Sequence, residues 1–222
     1  MDRIAANLQV VRSRIAAACQ HAGRDPASVQ LLAVSKTFDA GAVRAAHAAG
    51  QTAFGENYVQ EGVEKVLALQ DLRSQLQWHC IGPVQSNKTR LVAEHFDWVH
   101  SVDRLKTAQR LSEQRPAQGP ALNVCLQVNI DGGPTKAGVL PQDAAALALA
   151  VAPLPGLALR GLMFIPDAIA DPAAQEQVFA AAHALFVQLQ HQHPQMDTLS
   201  MGMSADLESA VAAGSTCVRV GA

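Results

Sequence analysis

Cysteine is scarce in this sequence, with 4 residues among 222. The four stand far apart and none belongs to a CxxC pair, so neither a disulfide framework nor a zinc site is indicated. No close grouping of acidic residues and histidines suggests another metal site, and we predict none. Most of the cysteines fall in apolar runs of strand character, where a small buried thiol is the simplest interpretation. They are Cys19, Cys80, Cys125 and Cys217.

An excess of either charge is also lacking, because the formal net charge is −2 and only 16% of the residues are charged. The composition therefore gives no reason to expect nucleic acid or an anionic membrane as a partner. No apolar run is long enough to span a bilayer, and the N-terminal stretch lacks the apolar block of a signal peptide. With 49% hydrophobic residues, we expect a globular protein of the cytoplasm.

Strand-like and helix-like segments alternate along the chain. Eight strand candidates are separated by seven helix candidates, which is typical of parallel strands joined by right-handed crossovers. Closure of eight strands into a ring leaves no exposed edge. The sequence therefore predicts an α/β fold with a single (β/α)8 TIM-type barrel domain over residues 1–222, and an open doubly wound sheet is the alternative. The strand candidates are "LLAVSKT", "TAFGE", "LQWHCIG", "WVHSVD", "LNVCLQVNI", "LALRGLMFI", "TLSMGMS" and "STCVRVG".

One further helix is predicted at residues 2–22, before the first strand. The sequence stops at Gly221 and Ala222, at the end of the last strand candidate, where a barrel would normally continue into a helix. We therefore expect the extra N-terminal helix to cover the outer surface of the ring beside strand eight.

The first strand candidate delivers a lysine, Lys36, at its end. In a parallel barrel, functional residues lie at the carboxyl ends of the strands, so we expect Lys36 at the barrel mouth. Apolar surroundings there would favour the neutral amine, which can attack an aldehyde to form an imine. The alternatives are an ordinary salt bridge to Glu56 or Asp103, or a side chain that extends out of the barrel into solvent.

The last two strand candidates end in small residues. "SMGMS" at 200–204 closes strand seven, and Gly221 follows Arg219 in strand eight. Barrels often bind a phosphate at these ends, where glycine lets backbone N–H groups approach the anion, although two tight turns would need the same residues. Together with Lys36, this pattern indicates a ligand that carries both an aldehyde and a phosphate, such as pyridoxal 5'-phosphate (PLP). A second lysine, Lys136, lies in a loop and is assigned at most a minor role.

Several long motifs resemble one known family. "AVSKT", "FGENYVQE", "WHCIGPVQSNK", "GLM" and "LSMGMSADLESAVAAGSTCVRVG" are similar to segments of the pyridoxal-phosphate homeostasis proteins, in the same order, from about residue 3 to the end. The resemblance implies a barrel like the N-terminal domain of bacterial alanine racemase. It also implies that PLP is held as an imine of Lys36. The other implied cofactor-binding residues are Ser200 and the backbone of Gly221 for the phosphate, Arg219 beside the pyridine nitrogen, and Asn57 on the pocket wall.

The resemblance favours a PLP-binding carrier or regulator that acts in PLP homeostasis without substrate turnover. Its partners would be PLP and, transiently, PLP-dependent apo-enzymes, and we expect a monomer because no exposed apolar stripe is evident. An amino-acid racemase is the first alternative, for which Tyr58, the single tyrosine, would have to supply a second acid–base group. A barrel of the class I aldolase type, with a keto-sugar phosphate as substrate, is the second. The family continues past its last strand with a glycine-threonine turn, whereas this sequence ends at Gly221-Ala222.

Overall fold

Eight parallel strands form a closed barrel in the computed structural model of this chain, which describes residues 2–221, with side chains from Arg3 onward. Every predicted strand is present. The predicted (β/α)8 barrel is confirmed, and the alternative of an open sheet is wrong, because the last strand pairs with the first. Met1 and Ala222 lie outside the described residues. The strands are β1 Gln30–Val34, β2 Ala53–Glu56, β3 Gln77–Cys80, β4 Trp98–Val102, β5 Leu122–Val128, β6 Leu157–Phe164, β7 Thr198–Met203 and β8 Cys217–Gly221.

A helix precedes the barrel, and one α-helix follows each of the strands β1 to β7, as predicted. None of the helices in the described part of the chain is both long enough and apolar enough to cross a bilayer. The helices are α1 Asp2–His21, α2 Ala40–Ala48, α3 Val59–Ala68, α4 Thr89–His95, α5 Leu105–Gln114, α6 Ala144–Val151, α7 Pro172–Gln192 and α8 Leu207–Ala212. Short 3-10 helices lie at Pro26–Ser28, Gln70–Leu72, Ser86–Lys88 and Pro141–Asp143.

Local signals in the sequence explain where two of these helices begin. The side chain of Asp39 accepts a hydrogen bond from Ala42 N at 2.8 Å and caps α2, because the first N–H groups of a helix have no partner within it. Asp171 caps α7 in the same way and is followed by Pro172, whose fixed φ suits the first helical position. The caps therefore fix the ends of the loops that lead away from the barrel mouth.

The N-terminal helix α1 covers the outer surface beside the last strand, as predicted. Ile15 and Cys19 of α1 pack in a separate cluster with Leu207 and Val211 of α8 and Val218 of β8. In the same region β8 is paired with all five residues of β1, from Gln30 opposite Cys217 to Val34 opposite Gly221. This pairing closes the ring and places the first and last strands side by side.

The barrel interior contains two small apolar clusters, separate from the large core between the strands and the outer helices. Side chains alternate along each strand, so one set faces the helices and the other faces the interior. One interior cluster joins Leu32, Ala53, Ile81 and Cys217, and the other joins Trp98, Cys125 and Met163. All four cysteines of the chain are buried free thiols, in agreement with the interpretation of their sequence context.

Candidate functional site

The carboxyl ends of the strands meet at one mouth of the barrel, as parallel pairing requires. β1 pairs with β2 on one side and with β8 on the other, and β8 pairs in turn with β7. The five predicted site residues belong to these four adjacent strands or to the positions directly after them. They are Lys36, Asn57, Ser200, Arg219 and Gly221.

Lys36 lies in a turn at this mouth, two residues after Val34 at the end of β1. Because Val34 pairs with Gly221, the lysine is close to the last residue of the neighbouring strand β8. Its side chain is exposed. The prediction that apolar surroundings desolvate the Lys36 amine is therefore wrong, because the apolar run ends at Val34 and the lysine follows at the open end of the barrel.

The alternative of a salt bridge between Lys36 and Glu56 or Asp103 is also wrong. Glu56 instead pairs with Lys65 at 2.7 Å, and Asp103 faces Arg104 at 3.6 Å. The exposure of Lys36 agrees with the other alternative, in which the side chain extends into solvent. Within the described residues, Lys36 has no ion-pair partner, so its ammonium group is available to a ligand.

Arg219 lies on the adjacent strand β8 and is 4% exposed. Its Nη1 donates to Ser200 Oγ at 2.6 Å, and its Nη2 donates to the carbonyl of Phe164 at 2.8 Å. Both partners are neutral, and no carboxylate lies within ion-pair distance of Arg219 in residues 2–221. Burial lowers the pKa of this guanidinium. A buried cation with spare N–H donors and no counter-ion suits an acceptor such as a ring nitrogen.

Ser200 is fully buried, with its hydroxyl between Arg219 and His100. Its assignment to the phosphate stays a prediction. In this structure Ser200 holds Arg219 in place, because its Oγ accepts a hydrogen bond from the guanidinium. A serine in the middle of strand β7 faces the barrel interior and not the loops at its end.

His100 is a buried residue of this site that sequence reasoning missed. Its Nδ1 lies 2.9 Å from Ser200 Oγ, and its Nε2 lies 2.9 Å from Nδ1 of His79. His79 is buried and stacks on Trp98, with ring centroids 5.2 Å apart. The available signal was the alternation on β4, since His100 follows Trp98 by two positions and so faces the same side.

Both histidines are held in the neutral form. Burial lowers the pKa of His79 to about 3. Burial, the neighbouring His79 and the charge of Arg219 place the pKa of His100 well below its ordinary value. Because the Arg219 guanidinium can only donate, Ser200 Oγ accepts a hydrogen bond from it. The serine hydroxyl can then donate its own hydrogen bond to Nδ1 of His100. The chain ends at Nε2 of His79, which is buried and has no hydrogen-bond partner within residues 2–221.

Asn57 directly follows β2 and is partly buried. Its side-chain Oδ1 is buried without a hydrogen-bond partner among the described residues. The backbone at Asn57 is packed against Gly82, where an added Cβ would lie only 2.1 Å from the Asn57 carbonyl oxygen. Glycine at position 82 therefore allows the turns after β2 and β3 to touch, which fixes Asn57 at the mouth and leaves one polar atom for a ligand.

Ser204 is a second residue that the predicted site omits. It follows Met203, the last residue of β7, is exposed, and its hydroxyl lies 3.3 Å from the carbonyl of Gly221. The loop after β7 thus brings a hydroxyl to the last residue of β8, and barrels often bind a phosphate at this position. The strand boundary within "SMGMS" was the missing information, because only its last serine lies beyond the strand.

A cleft of about 610 Å³ lies beside the mouth, between α1, α2 and the ends of β1 and β8. Its lining is mostly apolar and includes Leu8, Val34 and Phe38 together with Ser204 and Gly221. The cleft therefore borders the position at which Ser204 and Gly221 meet.

Two other residues considered in the sequence lie in less suggestive places. The ammonium of Lys136 is bonded to Asp131 and to Asp167, the latter at 2.8 Å, so it ties two loops together. Tyr58, which the racemase alternative needs as a second acid–base group, is 60% exposed and directly precedes α3. Neither residue is bonded to the predicted site residues within the described part of the chain.

A family model, known relatives and a solved structure all place this chain in the same family. The family model for the alanine racemase N-terminal domain matches residues 1–222. The chain is 60% identical over 221 residues to a pyridoxal phosphate homeostasis protein of Pseudomonas aeruginosa, which covers 100% of this chain and 94% of the relative. It is 52% identical over 222 residues to the protein of that name from Escherichia coli, with coverage of 100% and 95%.

A solved structure of similar sequence has the same barrel. PipY of Synechococcus elongatus, determined with PLP bound, is 43% identical to this chain and superimposes with a TM-score of 0.85, covering 98% of this chain and 97% of PipY. The match extends over the whole barrel that carries Lys36 and Arg219. This chain therefore belongs to the alanine racemase N-terminal domain family and, within it, to the pyridoxal phosphate homeostasis proteins.

Proposed function

We propose that this protein binds PLP at the carboxyl mouth of its barrel and acts in PLP homeostasis as a carrier or regulator of the free cofactor. One observation carries the proposal. Two cations, Lys36 in the turn after β1 and Arg219 on the adjacent strand β8, have no carboxylate partner in residues 2–221. The relatives that share this barrel carry the name of that function, and the similar PipY was solved with PLP.

The residues present fit such a ligand. Bound PLP would supply a phosphate anion and an aldehyde, and the amine of Lys36 would be the group to condense with that aldehyde, with loss of one water. Gly221 and Ser204 would hold the phosphate, and Arg219 would donate to the ring nitrogen. Asn57 would line the pocket, where its buried Oδ1 has no hydrogen-bond partner among the described residues and is left for the ligand. Because an arginine beside the ring nitrogen disfavours its protonation, these residues suit holding the cofactor better than strong carbanion chemistry.

Several finer points belong to the same proposal. The covalent attachment to Lys36 is one of them. We also propose that residues 1–222 act as a single domain, which the closed ring of strands supports. A cytoplasmic location is proposed in view of the buried free thiols, which suit a reducing compartment. A monomer is proposed because the sequence shows no evident exposed apolar stripe. Transient contact with PLP-dependent apo-enzymes would complete the carrier role.

A spectroscopic titration tests the proposal. The purified protein, incubated with PLP, is expected to acquire a violet absorbance band that saturates at one PLP per chain. In a Lys36→Ala variant this band should be absent, because Lys36 is the exposed amine that follows β1 where Val34 pairs with Gly221 of β8. Lys106→Ala removes an exposed lysine on α5 and serves as the matched control, with an unchanged titration expected.

An unchanged band in Lys36→Ala would remove the covalent claim, and no band in the wild type would remove the function. The racemase alternative is separated with the same sample. Incubation of the PLP-loaded protein with L-alanine in heavy water should leave the α-proton in place, whereas catalytic exchange for deuterium would show turnover.

A further inference from the structure

The turn that carries Lys36 contains an unusual backbone conformation. Thr37 has a φ of +67°, and it is the single non-glycine residue in the left-handed region among those described. A β-branched residue adopts this conformation rarely, because its Cβ substituents collide with the backbone. Strain of this kind persists only where surrounding contacts enforce it, and it is concentrated at functional sites.

The enforcing contacts come from a cluster of charges on the outer side of the barrel, in which Glu56 and Lys65 are buried and Glu61 is partly exposed. Glu56 Oε1 accepts a hydrogen bond from Ser35 Oγ at 2.6 Å. Glu61 Oε1 accepts one from the backbone N–H of Thr37 at 2.5 Å. The residues directly before and after Lys36 are thus each held by a carboxylate, one from β2 and one from α3.

Lys65 of α3 is the centre of this cluster. Its Nζ donates to Glu56 Oε1 and Glu61 Oε1 at 2.7 Å each, and to the backbone carbonyl of Ser35 at 2.6 Å. An ammonium group has three N–H donors, so all of them are used. Lys65 is 5% exposed, and both carboxylates that fix the turn depend on it for their counter-ion.

A role in stability alone does not account for this arrangement well. Buried ion pairs are costly to desolvate, and apolar replacements are often as stable. Three hydrogen bonds connect the charged residues Glu56, Glu61 and Lys65 to other residues, and all three are made with Ser35 or Thr37. The cluster therefore specifies the conformation of the residues on either side of Lys36.

We propose that Lys65 is a positioning residue, which fixes the Ser35–Thr37 turn and thereby the direction in which Lys36 leaves the end of β1. The inference rests on the proposed function, because a fixed Lys36 matters for capture of the PLP aldehyde. Lys65 lies behind the turn and bonds to its backbone, so it acts through Lys36 and does not touch the ligand.

The test compares three variants with the wild type. Lys65→Met removes the ammonium while keeping the length of the side chain. Lys65→Met combined with Glu56→Gln also removes the buried carboxylate that would lose its counter-ion, so this variant is expected to fold if the single one does not. Arg73→Met is the matched control, because it breaks a partly buried ion pair with Asp97 that lies before the amino ends of β3 and β4, away from the Lys36 turn.

Two measurements are made on each protein. The rate of PLP capture, followed by the violet absorbance, is expected to fall at least about tenfold in both Lys65 variants, as misplacement of a reacting group does. Hydrogen exchange of the Thr37 amide in the protein without PLP should accelerate at least about tenfold, because the N–H loses a fixed acceptor. Circular dichroism should show the barrel intact, and Arg73→Met should match the wild type in both readouts.

Wild-type capture rates and wild-type Thr37 protection in a folded Lys65 variant would overturn the inference. Faster exchange with an unchanged capture rate would also overturn it, because the cluster would then be structural only. If the wild type takes up no PLP, the proposed function fails. The exchange readout then still decides whether Lys65 holds the turn.

Discussion

At the scale of single residues, the barrel interior contains a line of hydrogen-bonded polar side chains that ends on a cation. His79, His100 and Ser200 connect the interior to Arg219 through contacts of 2.6–2.9 Å. Burial disfavours the charged form of both imidazoles, and the neighbouring His79 and the charge of Arg219 add to this effect at His100, so both stay neutral. The line therefore keeps Ser200 as an acceptor for Arg219.

This neutrality predicts a stability that depends on pH. His79 has a pKa of about 3 when folded, whereas an unfolded histidine titrates near pH 6.5. Between these values the unfolded chain binds more protons, so stability falls as the pH drops below about 6.5. Lowering the pH from about 7.5 to 5 should cost about 2 kcal/mol from His79 alone, measured as the free energy of unfolding in urea.

The His79→Gln variant isolates this contribution. Glutamine can still bond to His100 Nε2 but does not titrate, so the loss of stability over this pH range should shrink by about 2 kcal/mol. His21→Gln, which changes an exposed histidine on α1, should leave the loss unchanged. An equal loss in wild type and His79→Gln would contradict the assignment.

At the scale of elements, α1 takes the place beside β8 that a barrel helix usually fills. Its buried residues Ile15 and Cys19 face α8 and β8 in a cluster separate from the main core. Because this cluster is small, each large side chain in it carries a substantial part of the contact. Packing of α1 is thus expected to stabilise the strand that carries Arg219.

Replacement of one residue on each face of α1 tests this packing. Ile15 is 5% exposed, and Ile15→Ala should reduce the free energy of unfolding by about 2 to 4 kcal/mol, because a cavity remains against Val218. Val10 lies on the same helix but is 61% exposed, so Val10→Ala should change stability by less than about 0.5 kcal/mol. Equal effects measured in urea denaturation would show that α1 does not pack as described.

The elements themselves were predictable from the sequence, because strand and helix periodicity is a local property. Details of their pairing were not. The register shifts between β4 and β5, between β5 and β6 and between β7 and β8 depend on contacts across strands and have no sequence signal that we can name. The shift at β7 bears on the site, since it lies between Ser200 and Met203 and precedes the exposed Ser204.

The site was predictable only in part, and the reason lies in burial. Lys36 and Arg219 stand out because they interrupt apolar strands. Lys65 does not, because a lysine in an amphipathic helix is normally a solvated residue. The spacing of four residues between Glu61 and Lys65 was a hint that the two form an ion pair. The bond from Lys65 to the Ser35 carbonyl depends on how α3 packs against the Lys36 turn, which the sequence does not show.

At the scale of the whole molecule, closure of the barrel is what assembles the site. Lys36 and Arg219 come from opposite ends of the chain and become neighbours only because β1 pairs with β8. The mouth is then completed by Asn57 after β2 and Ser204 after β7. Any change that disrupts the pairing of β1 with β8 should separate the amine of Lys36 from the expected phosphate position at Gly221 and Ser204.

Peptide mapping after chemical reduction tests the central claim most directly. The PLP-loaded protein is treated with borohydride, digested, and examined by mass spectrometry for a pyridoxyl-phosphate group on each of its 5 lysines. We predict one modified residue, Lys36, with Lys65, Lys88, Lys106 and Lys136 unmodified. A stoichiometric adduct on another lysine, or none at all, would contradict capture of PLP at the junction of β1 and β8.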